Sequence, residues 1–221
     1  FIEDMETVST ASNRQKKQEG NYFDTYIGLD FDYDKRNQKY QTSDGFRSFY
    51  SVDLPLISDN NTVTNFYNYK IFSELYENNI SSISLSLSAA NSITGDDVKL
   101  SERLYIPQKK LRGFVRGKVG PKDGEDYIGG NYYAVINLSS TLPQVLSNNQ
   151  NIDIGTFLDI GNIWGVDDSS LDESSELRSS IGLGVDWFTP VGPLSFSFAH
   201  PISKGSTDKT ETFRFNLGTT F

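Results

Sequence analysis

The chain has 221 residues, of which 36% are apolar, 22% charged and 13% aromatic, enough for one large domain. It has no cysteine and one histidine, His200, which excludes disulfide scaffolds, thiol catalysis and cysteine-ligated zinc and argues against a histidine-based metal site or triad. Acidic residues outnumber basic ones 29 to 20, a formal charge of -9, which speaks against nucleic acid as a partner, and no apolar run is long enough for a membrane helix.

The chain starts at Phe1 without a basic region and apolar stretch, and reads as part of a longer polypeptide. Glu6 to Gly20 is polar, follows no period and reads as an exposed loop. Beyond it, period-two alternation takes over. Phe23, Ile27, Leu29, Phe31 and Tyr33 alternate with Asp24, Asp30, Asp32 and Asp34. Ser43-Asp44-Gly45 follows as a turn, then weaker alternation predicts strands over 46–56 and 62–77. The clearest strand sets Ile83, Leu85, Leu87 and Ala89 against Ser82, Ser84, Ser86 and Ser88. The pattern then breaks at 96–129 and resumes weakly over 130–142, before a polar turn at Asn148-Asn149-Gln150. Ile152, Ile154, Leu158 and Ile160 oppose Asp153 and Asp159; after an acidic, Ser-rich stretch from Asp167 to Glu176, Leu177, Ile181, Leu183, Val185 and Trp187 oppose Arg178 and Asp186. Thr189-Pro190-Val191-Gly192-Pro193 makes a tight break. The last two strands carry Leu194, Phe196 and Phe198, then Phe213, Phe215, Leu217 and Phe221, with Arg214 on the opposite face. Asp167 to Glu176 and Ser203 to Thr210 both read as solvated loops.

That is roughly nine strands, many about 10 residues or longer, where a globular strand has about 5 or 6 and a tilted membrane strand about 9 to 11. A soluble sandwich alternates in the same way, with its apolar face turned inward. Three features favour an all-β, antiparallel transmembrane β-barrel: the aromatic end at Phe221, the aromatics near strand ends (Tyr22, Tyr132, Tyr133, Trp164, Trp187), and uncharged stripes within a chain of low hydropathy. His200 is in phase with Phe196 and Phe198, an outward position, and no nucleophile with a base is apparent, so the chain does not read as an enzyme.

The break at 96–129 exceeds the about 12 to 15 residues usual for an unstructured loop. It holds Lys109, Lys110, Arg112, Arg116, Lys118 and Lys122, with glycines at 113, 117, 120 and 124. Leu111, Phe114 and Val119 are poorly suited to a free loop, so this basic segment is expected to fold inward, against carboxylates of the lumen wall.

These residues also carry a resemblance. Leu111-Arg112-Gly113-Phe114, then Val119-Gly120-Pro121 and Gly129-Gly130-Asn131, resemble the sixth extracellular loop of the BamA-type outer-membrane insertase family. Gly155 to Trp164, Gly182 to Trp187 running into Pro190 to Leu194, and Phe213-Arg214-Phe215-Asn216-Leu217-Gly218 ending at Phe221 are similar to later family segments; Tyr33 to Arg36 with Ser43 to Gly45 resembles an earlier one. The order matches across nearly the whole chain from about residue 21.

The resemblance implies that residues 1–221 are the C-terminal part of a sixteen-stranded barrel, whose POTRA domains and first strands lie outside this sequence. It implies an integral protein of the bacterial outer membrane that folds client β-barrel proteins into the lipid without ATP or any cofactor, aided by accessory lipoproteins. Clients would pair at a lateral seam beside the last strand, whose Phe213, Phe215, Leu217, Gly218 and Phe221 would form a terminal β-signal. Arg112 would reach Asp159 on the lumen wall. Two departures stand out. Ser139 occupies a place where many relatives have a lumen Glu, which would leave Arg112 one partner short, and Pro107-Gln108-Lys109-Lys110 replaces a frequent Gly-Gly before the motif. A two-partner secretion pore, which shares a similar loop motif, and an autotransporter-assembly homologue are the alternatives.

Overall fold

The period-two segments become the strands of one antiparallel sheet. The computed structural model describes residues 2–39, 41–59, 61–76, 79–95, 97–142, 151–167, 170–171, 175–190 and 192–217. The elements are β1 (Ile2–Met5), α1 (Asn13–Lys16), β2 (Gly20–Asp34), β3 (Gly45–Ser58), β4 (Thr62–Tyr76), β5 (Asn79–Ser92), a 3-10 turn (Leu100–Glu102), β6 (Lys122–Asp123), β7 (Asp126–Tyr127), β8 (Tyr132–Thr141), β9 (Ile152–Trp164), β10 (Arg178–Thr189), β11 (Gly192–Ser203) and β12 (Phe213–Leu217). Ten strands pair in the order β1-β2-β3-β4-β5-β8-β9-β10-β11-β12, and β6 and β7 form a separate two-stranded hairpin. Among the described residues the sheet is an open arc with β1 and β12 at its edges. The turn at Asn148-Asn149-Gln150, Val191 in the break after Thr189, part of the acidic stretch after Asp167, and Gly218 and Phe221 lie outside the described residues.

Burial decides between sandwich and barrel. In β5 the serines are the covered side: Ser86 has no exposed surface, while Ile83 is 53% exposed. Leu87, Ile136, Ile181, Leu183, Phe213 and Phe215 are likewise exposed on the outer face. A sandwich would bury this stripe against a second sheet; a wall facing lipid leaves it bare of protein and covered by hydrocarbon. The inner face is polar, with Asp24, Asn79, Asp159 and Arg178 all buried.

Residues 2–5 form strand β1, paired with 20–23 of β2. Two expectations need correction. The segment 6–20 is not simply an exposed loop: Ala11 and Gln15 are buried, and Ser12 caps α1 through a reciprocal capping box with Gln15. Ser12 Oγ also donates to Asp123, tying this segment to the β6–β7 hairpin. That hairpin is the second correction, since the long connection between β5 and β8 contains paired backbone.

The apolar core lies where the loop meets the wall. Ile106, Leu111, Phe114 and Val119 of the loop pack with Tyr133 and Val135 of β8 and Ile163 of β9. This loop, the 165–177 connection and the 204–212 connection emerge at the same end of the strands.

Candidate functional site

The loop between β5 and β8 is pinched at its neck, where Leu104 and Gly130 exchange backbone hydrogen bonds of 2.8 and 3.0 Å. Beyond the neck the chain dips towards β8, β9 and β10. Arg112 grips Asp159 of β9 from three donors: Nε to Oδ2 at 2.7 Å, Nη2 to Oδ1 at 2.6 Å, and its own amide to Oδ2 at 3.0 Å. Asn137 of β8 donates to Asp159 Oδ1 at 2.8 Å and to the Lys110 carbonyl at 2.6 Å. The guanidinium lies 3.4 Å from the Phe157 ring centre, and Ser180 of β10 donates to the Arg112 carbonyl at 2.5 Å. Asp159 has no exposed surface, so its charge is compensated entirely by these partners. Beside it, burial pushes the Lys110 ammonium below its ordinary pKa, against the opposing pull of Asp159.

Local sequence makes this dip possible. Gly113 takes φ +86°, and a Cβ there would lie 3.1 Å from Ala199 Cβ. Leu111 and Phe114 on either side enter the core described above. The Ser139 hydroxyl meets that of Ser82 at 2.7 Å. Arg112 instead takes both oxygens of one carboxylate, Asp159. Asn137, directly opposite Asp159 in the β8–β9 register, braces the carboxylate, and both of its oxygens serve Arg112.

The terminal strand meets the same loop. Phe213, Phe215 and Leu217 point outward, and the first two stack on Phe198 and Phe196 of β11 with ring centres 5.0 and 5.1 Å apart. Arg214 points inward and donates to the carbonyls of Gln108 at 2.6 Å and Phe114 at 2.5 Å. His200 is exposed on the outer face, opposite Ile181.

The connection from 204 to 212 corrects the expectation of a solvated loop. Asp208 is buried against Arg178, and Thr210 bridges Phe114 of the motif. In the acidic stretch, Asp167 reaches back to Arg103 at 3.0 Å. The sequence reading placed Arg178 and Arg214 on the inner face without their partners, and it missed Asn137 and Asp208. The available signal was Arg178 and Arg214 themselves, cations on an enclosed face that need an acceptor from another segment.

The chain matches the Omp85 superfamily domain over residues 3–221. It is 30% identical over 145 residues to the outer membrane protein assembly factor BamA of Neorickettsia risticii, covering 63% of this chain and 19% of that one. It is 30% identical over 141 residues to the BamA of Neisseria meningitidis serogroup B, covering 50% and 17%. The chain thus spans about a fifth of the length of these relatives. The crystal structure of BamA from Haemophilus ducreyi lacking POTRA domains 1-3 superposes with a TM-score of 0.82 at 25% identity, over 90% of this chain and 42% of that one.

Proposed function

The chain belongs to the Omp85 superfamily, as part of an integral outer-membrane β-barrel, and from that premise we propose that the protein is an outer-membrane protein assembly factor. The observation that carries this reading is one loop holding two things: its Arg112 is fixed on Asp159 of the wall, while its carbonyls hold Arg214 of the edge strand β12. A strand at a sheet edge offers a row of unpaired N–H and C=O groups, which templates an incoming strand by β-augmentation. A client β-barrel adds its strands there, and the free energy of burying its backbone bonds and lipid-facing side chains drives insertion without ATP. The full barrel, its seam beside β12, the preceding POTRA domains and the accessory lipoproteins belong to the same proposal. The Asp159 to Arg112 joint keeps the loop seated while β12 works.

The test is client folding by the full-length protein in liposomes, comparing wild type with Asp159→Asn. Wild type is expected to accelerate insertion, and the variant to lose about tenfold of that gain, because a hydrogen bond to a charged group is worth about 1.5 kcal/mol or more. No acceleration over empty liposomes, together with large single-channel currents, would instead identify a secretion pore.

A further inference from the structure

A second buried ion pair lies apart from the motif. Arg178 at the start of β10 and Asp208 between β11 and β12 are both fully buried, with Nε 2.7 Å from Oδ2 and Nη2 3.2 Å from Oδ1. Asp208 also accepts from the amides of Gly205 at 2.6 Å and Gly120 at 3.1 Å. Arg178 completes the joint by donating to Asn162 Oδ1 at 2.5 Å and the Glu176 carbonyl at 3.0 Å. One carboxylate therefore ties together β10, the inward loop and the segment that leads into β12.

Backbone pairing continues from that joint towards the strand. The Val115 amide donates to the Lys209 carbonyl at 2.9 Å, Lys209 to Lys118 at 3.0 Å, and Glu211 to Gly113 at 3.0 Å. Arg214, three residues further, is held by the carbonyls of Gln108 and Phe114. The described part of β12 has ladder contacts on one side only, in five registered pairs with β11. Besides that ladder, β12 is held through its preceding segment from the inner face, where a buried carboxylate with four donors gives up its partners only as a set.

We infer that Asp208 is a positioning residue that lets the inward loop set the place of the terminal strand. While Asp208 is paired, the 204–212 segment stays docked on the loop and β12 is held against the arc. When the joint opens, β12 is free to peel or swing as a unit with its preceding segment. The consequence for client insertion rests on the assembly reading above; the mechanical coupling does not.

The experiment is hydrogen exchange on the full-length protein in lipid, comparing wild type, Asp208→Asn, and a cysteine pair placed across the docked loops (Val115→Cys with Lys209→Cys), which is convenient because this chain has no cysteine. Asp208→Asn is expected to speed exchange of the 211–217 amides about tenfold while leaving β4 and β5 unchanged, as for a local opening. Oxidising the cysteine pair in the Asp208→Asn background is expected to restore slow exchange, and reduction to abolish the rescue. Exchange at 211–217 equal to wild type, or still fast after oxidation, overturns the coupling. If Asp208→Asn fails to assemble, the cysteine pair alone decides: oxidation slows 211–217 below the wild-type rate, and no slowing overturns the inference. Coupled exchange without client insertion would sink the assembly reading and leave the coupling standing; normal insertion with unresponsive exchange would do the reverse.

Discussion

A carboxylate without exposed surface has to be compensated from every side, and Asp159 draws that compensation from a loop 47 residues earlier in the chain. Removing the guanidinium leaves an unpaired buried charge, so Arg112→Ala is expected to cost about 3–5 kcal/mol of loop docking. Limited trypsin digestion of the full-length protein then cleaves within 109–124, where Lys109, Lys110, Arg116, Lys118 and Lys122 provide sites. A fragment pattern identical to wild type would count against the anchor. Gly113→Ala is a gentler probe, because φ +86° strains any L side chain by about 1–2 kcal/mol and the added Cβ crowds Ala199 and Ser180, while the Arg112 and Asp159 side chains are both kept. It is expected to give intermediate cleavage. That the loop folds inward was legible because alternation put Asp159 on the inner face and the most basic stretch of the chain suits such carboxylates, whereas the choice of Arg112 as the partner of Asp159 was implied by the resemblance of the Leu111 to Phe114 motif. Asp208 was not legible. Between Lys204 and Lys209, in a run of Ser, Thr and Gly, it has the composition of a solvated turn, and it is buried by partners distant in sequence, Arg178 and the amide of Gly120, 88 residues earlier.

At the level of elements, the strands read backwards from those of a soluble protein: the apolar residues are bare and the serines covered. That inversion assigns a cost to each outward position according to depth. Leu183 stands at the middle of β10 and is 49% exposed, whereas Ile57 stands near the end of β3 at 71%. Leu183→Arg is expected to destabilise the barrel by about 2–4 kcal/mol and Ile57→Arg by about 0–1 kcal/mol, read from urea unfolding in lipid vesicles. Equal losses would mean that neither face meets hydrocarbon. The nine longer strands were legible because period two needs only a few turns to declare itself. The pieces that were not are short: β1 has four residues and β6 and β7 two each, too few for a period. Their pairing is set by what they land on.

For the whole molecule, the wall, the inward loop and the edge strand form one mechanical circuit. The loop is held at Arg112, paired with Asp159, and at Gly120, whose amide donates to Asp208 of the Arg178–Asp208 pair, and the apolar cluster from Ile106 to Val119 makes the stretch between them move as a body. Two anchors on one body are not independent, because releasing either leaves the loop seated by the other. Their effects are therefore expected to be non-additive, with coupling of about 0.5–3 kcal/mol. This separates an assembly factor from a secretion pore. A pore whose plug retracts in normal work conducts widely with both anchors intact. A barrel that uses the loop to hold its edge strand stays nearly closed in wild type. In planar bilayers, Arg112→Ala and Asp208→Asn are each expected to give only brief openings of the full-length protein. The double variant is expected to stay open for longer than the product of the single effects. Simple multiplication of the two would mean that the joints act on separate parts, and the circuit linking loop, wall and terminal strand would have to be abandoned.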